Sequence, residues 1–138
     1  MRNIGIAIID DESLVRLGIK SSVAWEEYGY EIVGEADNGQ TGLEMIREKH
    51  PDIVLLDVCM PVMNGIEVLK SLQKLKIQCK VIILSCHDDF CFVKEAMKNG
   101  AFDYLRKNEI NSGTHCAKSR TRGREAGTAT RVMSACTV

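Results

Sequence analysis

The feature that most constrains the fold is a set of short aliphatic segments separated by amphipathic ones. Ile4–Ile9, Pro51–Asp57 and Lys80–Ser85 carry aliphatic residues without clean polar alternation, which is typical of strands covered on both faces. Two further strands are predicted at Glu31–Ala36 and in the sequence FDYL at 102–105. Segments with apolar residues at helical spacing lie between them. This alternation predicts an α/β fold, doubly wound around a five-stranded parallel sheet.

Polar residues stand where the predicted strands end. The first strand leads into Asp10 and Asp11, the third ends in Asp57, the fourth ends in Ser85, and Lys107 follows the fifth. Right-handed crossovers bring the carboxyl ends of parallel strands to one edge of the sheet, where such folds bind ligands. We therefore expect these five residues to meet at that edge.

Three converging carboxylates repel one another unless a cation neutralises them. Mg²⁺ prefers oxygen ligands and commonly bridges carboxylates to phosphate oxygens, and a lysine and a hydroxyl suit the same oxygens. Each residue alone has a simpler explanation: Asp11 could cap a helix, Asp57 and Ser85 could end strands, and Lys107 could be a surface charge. Their coincidence at one edge favours a magnesium and phosphoryl site.

Four segments, IIDDE, DIVLLDVCMPVMNG, VIILSCHDDF and KEAMKNGAFDYLRK, resemble the receiver domain of two-component response regulators. The resemblance covers residues 3–107 and implies a flavodoxin-like receiver fold. The stretches WEEYGYEIVGEADNG and SCHDDFCFVKEAMKNGAFDYL are most similar to receivers of AraC-type transcription regulators.

The resemblance implies roles for the acidic residues. Asp57 is then the phosphoacceptor, and Asp10 and Asp11 are the acidic pair that helps to hold Mg²⁺. Asp57 itself and the main-chain carbonyl of Cys59 complete the expected metal ligands.

The resemblance also implies a switch. Ser85 is expected to hydrogen-bond the phosphoryl group, Lys107 to contact it, and Tyr104 to fill the space that Ser85 vacates. His87 is expected to tune the hydrolysis rate. The face formed by the fourth helix and the fifth strand would change as a result.

The implied function is that of a signalling switch rather than an enzyme. A sensor histidine kinase would donate the phosphoryl group, and the output would be a process such as transcription. DNA would be bound only through an output domain, which we do not recognise in this sequence, and a homodimer is a further expectation. We recognise no signal peptide or membrane span, and six cysteines without CxxC spacing fit free thiols in the cytoplasm.

Two alternatives remain open. A pseudo-receiver would act as a protein-interaction module without phosphorylation. A phosphohydrolase with an aspartate nucleophile would usually carry a second acid two residues later, where this chain has Cys59.

The chain departs from the family after residue 107. Receivers usually have proline after the lysine, whereas Asn108 stands here, so a less well placed Lys107 is expected. Residues 108–138 carry five Lys/Arg against two Asp/Glu, a net of +3, and show no apolar stripe for a fifth helix. This atypical basic tail could be frameshifted or cloning-derived, naturally divergent, or a poorly formed helix. If it forms no helix, one apolar face of the sheet should be uncovered.

Overall fold

The computed structural model describes residues 3–22, 24–58, 60, 62–85 and 90–107. Within these residues strands and α-helices alternate in the order β1 (Ile4–Ile9), α1 (Ser13–Ser22), β2 (Tyr30–Ala36), α2 (Gly39–Lys49), β3 (Ile53–Asp57), α3 (Gly65–Lys74), β4 (Lys80–Ser85), α4 (Phe90–Lys98) and β5 (Asp103–Arg106). A short 3₁₀ helix, Trp25–Tyr28, precedes β2. The predicted α/β alternation is confirmed, and the expected tail 108–138 lies outside the described residues.

All five strands pair in parallel in the order β2-β1-β3-β4-β5. The chain steps outward from β1 to β2 and then crosses back to β3, so the strand order reverses between β1 and β3. A crevice opens at such a reversal, beyond the carboxyl ends of the strands. The register pairs Ile9 with Leu56, which brings the next residues, Asp10 and Asp57, to the same level of the sheet.

Helices cover both faces of the sheet. Alternate strand residues pack with Val15 and Ile19 of α1 on one face, together with Trp25 and Tyr30. The other residues pack beneath α2, α3 and α4. Fully burying each large aliphatic side chain contributes roughly 1.5–3 kcal/mol, so these two layers supply most of the driving force for folding.

The expectation of an uncovered sheet face depends on residues 108–138, which lie outside the described residues, so it stays a prediction. Ile82, Leu84 and Leu105 lie on the same face as α1, and each is at most 2% exposed.

Side chains define the starts of two helices. Asn38 accepts a hydrogen bond from the Thr41 N–H, so the Asn38-Gly39 pair begins α2 as a cap. Asn64 and Glu67 form a reciprocal capping box at the start of α3. None of the helices in the described ranges is both long and apolar enough to cross a bilayer.

Candidate functional site

Two buried carboxylates lie side by side at the carboxyl edge of the sheet. Asp10 directly follows β1 and is fully buried, while Asp57 is the last residue of β3 and is 2% exposed. Lys107, directly after β5, is 6% exposed at the same edge. The topology thus brings together residues that are remote in sequence, as the sequence predicts.

A single ammonium group joins these residues. Lys107 Nζ lies 2.9 Å from Asp10 Oδ2, 3.1 Å from Asp57 Oδ2 and 3.3 Å from Glu12 Oε1. Burial alone would lower the pKa of Lys107, but the hydrogen bond to Asp10 and the charges of Asp57 and Asp10 raise it overall. Lys107 is therefore a cation held in place by carboxylates, and the expected effect of Asn108 stays a prediction because Asn108 lies outside the described residues.

Asp10 is held by the main chain as well as by Lys107. Its Oδ1 accepts a hydrogen bond of 2.9 Å from the Glu12 N–H, and its own N–H donates to the Ala36 carbonyl at 3.0 Å. Burial raises the pKa of Asp10, while the Glu12 N–H and Lys107 act in the opposite direction. Ionised Asp10 is thus costly here and depends on the cation beside it.

A cluster of acids continues from Asp10 towards solvent. Among the described residues, Asp10, Asp11 and Glu12 can place one carboxylate oxygen each within 4.8 Å of the others. These oxygens are hard donors of the kind that Mg²⁺ selects, and the cluster is open to water at Asp11 and Glu12, so the residues present fit that ion. Asp57, the third acid predicted from the sequence, faces this cluster across the Lys107 ammonium.

Glu12 was not predicted as a site residue. Its position in the motif IIDDE could have indicated a role, because Glu12 directly follows the two aspartates that are predicted as site residues. Its side chain is 59% exposed and reaches back to Lys107.

The predicted switch residues flank a cavity beside the site. Ser85 ends β4 and is 2% exposed, and Tyr104 on β5 is 37% exposed. Both line a cavity of about 370 Å³, which is completed by side chains of α4 and by Arg106. A side chain could therefore move into this space without unpacking the sheet.

Gly65 packs closely against the main chain of Asp57 and Val58. The Gly65 N–H donates to the Val58 carbonyl at 3.1 Å, and a Cβ on Gly65 would lie 2.6 Å from the Asp57 carbonyl oxygen. Only glycine permits this approach. Two other predicted site residues, Cys59 and His87, lie outside the described residues.

A second polar network connects α1 to β2. The Arg16 Nε–H donates to Glu35 Oε1 at 3.0 Å, and Lys20 Nζ lies 2.6 Å from Glu35 Oε2. Lys20 first, and then Arg16, lower the pKa of Glu35. The guanidinium of Arg16 also donates to the main-chain oxygen of Asp10 at 2.5 Å. This network was not predicted from the sequence, although Arg16 and Lys20 are four residues apart on α1 and therefore share one face of the helix.

Comparisons with known proteins agree with this geometry. Residues 6–114 match the sequence model described as the response regulator receiver domain. The chemotaxis protein CheY of Thermotoga maritima is 38% identical over 102 residues, 74% of this chain and 83% of CheY.

Two solved structures are similar as well. The response regulator domain of Thermotoga maritima CheB superposes with a TM-score of 0.80 at 27% identity, covering 99% of this chain and 98% of that one. A two component transcriptional regulator AraC from Clostridium phytofermentans gives a TM-score of 0.68 at 33% identity, covering 77% and 82%. Several other curated relatives are much longer, and the match spans only 40% of two Staphylococcus epidermidis response regulatory proteins.

Proposed function

This chain belongs to the family of response regulator receiver domains, and from that premise we propose that Asp57 accepts a phosphoryl group from a sensor histidine kinase. The phosphorylated form would signal to an output by a change on the face of α4 and β5. The domain acts as a switch whose state is read by a partner.

The contact of one buried ammonium with Asp10 and Asp57 carries this proposal. A lysine held between two buried carboxylates can turn towards a phosphoryl oxygen once Asp57 is phosphorylated, because that reaction moves negative charge onto the new group. The retention of Asp10, Asp57 and Lys107 at one point also argues against a pseudo-receiver.

The transfer makes few chemical demands on the protein. A carboxylate oxygen of Asp57 attacks the phosphorus, the P–N bond to the kinase histidine breaks, and the electron pair of that bond returns to the imidazole. Asp57 is well positioned as nucleophile because its main chain is fixed by β3 and by Gly65. Lys107 offers positive charge to the oxygens of the transferring group, which is the principal requirement of phosphoryl transfer.

Asp10, Asp11 and Asp57, with the main-chain carbonyl of Cys59, would hold Mg²⁺, and Glu12 is near enough to take part through water. When bound, the ion supplies charge neutralisation at the phosphoryl oxygens and between the carboxylates. The acyl phosphate that forms is labile, so the signal is reversible.

The change of state would proceed through Ser85 and Tyr104. Ser85 would donate its hydroxyl to a phosphoryl oxygen, and Tyr104 would rotate into the adjoining cavity. Phe90 and Met97 of α4, which are 75% and 40% exposed, border that cavity, so a partner bound there would sense the rotation. His87 would tune the lifetime of the phosphoryl group.

The partners follow from the relatives. We propose a cytoplasmic regulator of transcription whose DNA contacts are made by an output domain, since a transcriptional regulator of AraC type is among the similar structures. Homodimerisation through the face of α4 and β5 is the corresponding mode of output.

Phosphorylation by a small donor tests the proposal. The native chain is incubated with acetyl phosphate and MgCl₂ and compared with Asp57→Asn by intact-mass spectrometry. We expect an added phosphoryl group on the native chain, none on the variant, and none without Mg²⁺. An Asp57→Asn chain labelled as fast as the native one would exclude Asp57 as acceptor, and beryllofluoride that fails to bind would favour a pseudo-receiver.

A further inference from the structure

The side chain of Arg16 touches both the acid-bearing loop and the neighbouring edge strand. Its guanidinium donates to the Asp10 carbonyl oxygen at 2.5 Å and, through Nε, to Glu35 at 3.0 Å. Its backbone N–H donates to the Glu12 carbonyl at 3.2 Å. One residue of α1 thereby holds both ends of the segment Asp10–Glu12, and its own side chain is only 18% exposed.

From this geometry we propose that Arg16 is a positioning residue for divalent-cation binding, acting through the main chain of the acidic segment. The inference rests on the proposed function, because it concerns the same cation. Arg16 donates to the main-chain oxygen of Asp10, and the ligands it places are the side chains of Asp10 and Asp11.

The planar peptide bond explains how the contact acts. The Asp10 carbonyl oxygen belongs to the rigid unit that joins Asp10 to Asp11, so holding that oxygen fixes the direction in which the chain enters Asp11. The acids of the cluster repel one another, and an unrestrained loop would relax by spreading them. Groups that orient ligands in this way affect metal affinity strongly although they never touch the metal.

Glu35 orients the guanidinium of Arg16 towards Asp10. Its carboxylate holds the Arg16 Nε–H, so the planar guanidinium presents a second donor to Asp10. Lys20 contacts the same Glu35 from the next turn of α1 but, within the part of the chain that the structure describes, forms no ion pair with Asp10. Lys20→Met is therefore a matched control, because it removes an ion pair with the same Glu35 and no contact with the acidic segment.

The sign of the effect separates positioning from simple electrostatics. Arg16 brings positive charge close to the acids, so its removal should tighten cation binding if charge were its only influence. A positioning role predicts the opposite direction. The two explanations are thus distinguished by a weakened or a strengthened affinity.

The test titrates MgCl₂ alone into the full native chain, Arg16→Met and Lys20→Met by calorimetry, with a urea melt of each. We expect the dissociation constant for Mg²⁺ to rise about tenfold in Arg16→Met and to stay unchanged in Lys20→Met. Labelling of Arg16→Met by acetyl phosphate should be slow at low MgCl₂ and recover at saturating MgCl₂. A merely structural role would lower stability without this recovery.

The inference is overturned if Arg16→Met binds Mg²⁺ at least as tightly as the native chain, or if both variants weaken binding equally. If Arg16→Met does not fold, Arg16→Lys takes its place, since it keeps the charge but has one ammonium to share between Glu35 and Asp10. An Arg16→Lys chain with the native affinity for Mg²⁺ would overturn the positioning role. A native chain that gives no Mg²⁺ binding overturns the proposed function and this inference together.

Discussion

The molecule contains two networks of ionic groups that use the same chemistry in different surroundings. At the carboxyl edge of the sheet, Lys107 meets Asp10 and Asp57, and all three are almost completely buried. On the surface between α1 and β2, Arg16 and Lys20 share Glu35, whose side chain is 32% exposed. Solvent screens the second network and allows its members to separate, whereas burial shields the members of the first from solvent, so the loss of one partner is costly.

The two networks consequently differ in purpose. The surface network has two cations for one carboxylate, and through Arg16 it also contacts the main chain of the loop after β1. The buried network carries more negative than positive charge, since one ammonium faces two buried carboxylates and the exposed Glu12. Such an imbalance is costly for a fold and useful for a site that must accept a cation.

The largest expected effect comes from removing the buried cation. Lys107→Met leaves two buried carboxylates without a counter-charge and should lower the free energy of unfolding by about 3–5 kcal/mol in metal-free buffer. The matched surface change, Lys20→Met, should cost less than about 1 kcal/mol. Urea denaturation of both variants measures the difference, and equal losses would show that burial does not separate the networks.

A divalent cation should stabilise the buried network specifically. Saturating MgCl₂, at about a hundred times its dissociation constant, should raise the free energy of unfolding by about 2.7 kcal/mol over an EDTA-treated sample. Urea melts with and without MgCl₂ measure this gain. Asp57→Asn should gain less because one carboxylate is neutral, and an equal gain would place the cation away from Asp57.

Glu12 contacts the buried ammonium but is itself exposed, so its substitution tests which of these two properties determines its contribution to the free energy of unfolding. Its side chain is 59% exposed although it contacts Lys107, so Glu12→Gln should change the metal-free stability by less than about 1 kcal/mol. The same melts as for Lys107→Met provide the measurement. A loss as large as that of Lys107→Met would mean that Glu12 is an essential partner of the ammonium.

The smallest effect is a pH dependence of the surface network. Lys20 and Arg16 lower the pKa of Glu35, so its contribution is fully present above the ordinary value of 4.5 and is lost as the pH falls through the lowered value. Glu35→Gln should therefore reduce stability by a few tenths of a kcal/mol at pH 7 and less at pH 3. Denaturation midpoints of both proteins at the two pH values measure this difference in stability. A larger difference at pH 3 than at pH 7 would contradict the prediction.

Much of the fold was predictable because its signals are local. The predicted bounds of β1 and β4 match those of the structure, since each is an uninterrupted aliphatic run between polar residues. The start of α2 is less clear from the sequence, because an Asn-Gly pair is typical of turns, whereas in the structure the Asn38 side chain caps the helix. A turn and a helix cap use the same residue types, so only the following backbone distinguishes them.

The site was predictable as a set of residues but not as a set of contacts. Asp10, Asp57 and Lys107 were selected by their places at strand ends, and the structure brings them together there. Arg16 was not selected, because an arginine on a helix surface is ordinary in sequence and its significance lies in the carbonyl that it reaches.

The sequence by itself determined the alternation of strands and helices and the edge at which the acids and the lysine would gather, because hydrophobic periodicity and strand-end residues are written along the chain. Tertiary structure alone decided that one ammonium contacts carboxylates as far away in sequence as Asp10, 97 residues before Lys107, and that Glu12 and Arg16 belong to the surroundings of the site. Those contacts depend on strand order and register, which bring distant residues within a few ångströms of one another.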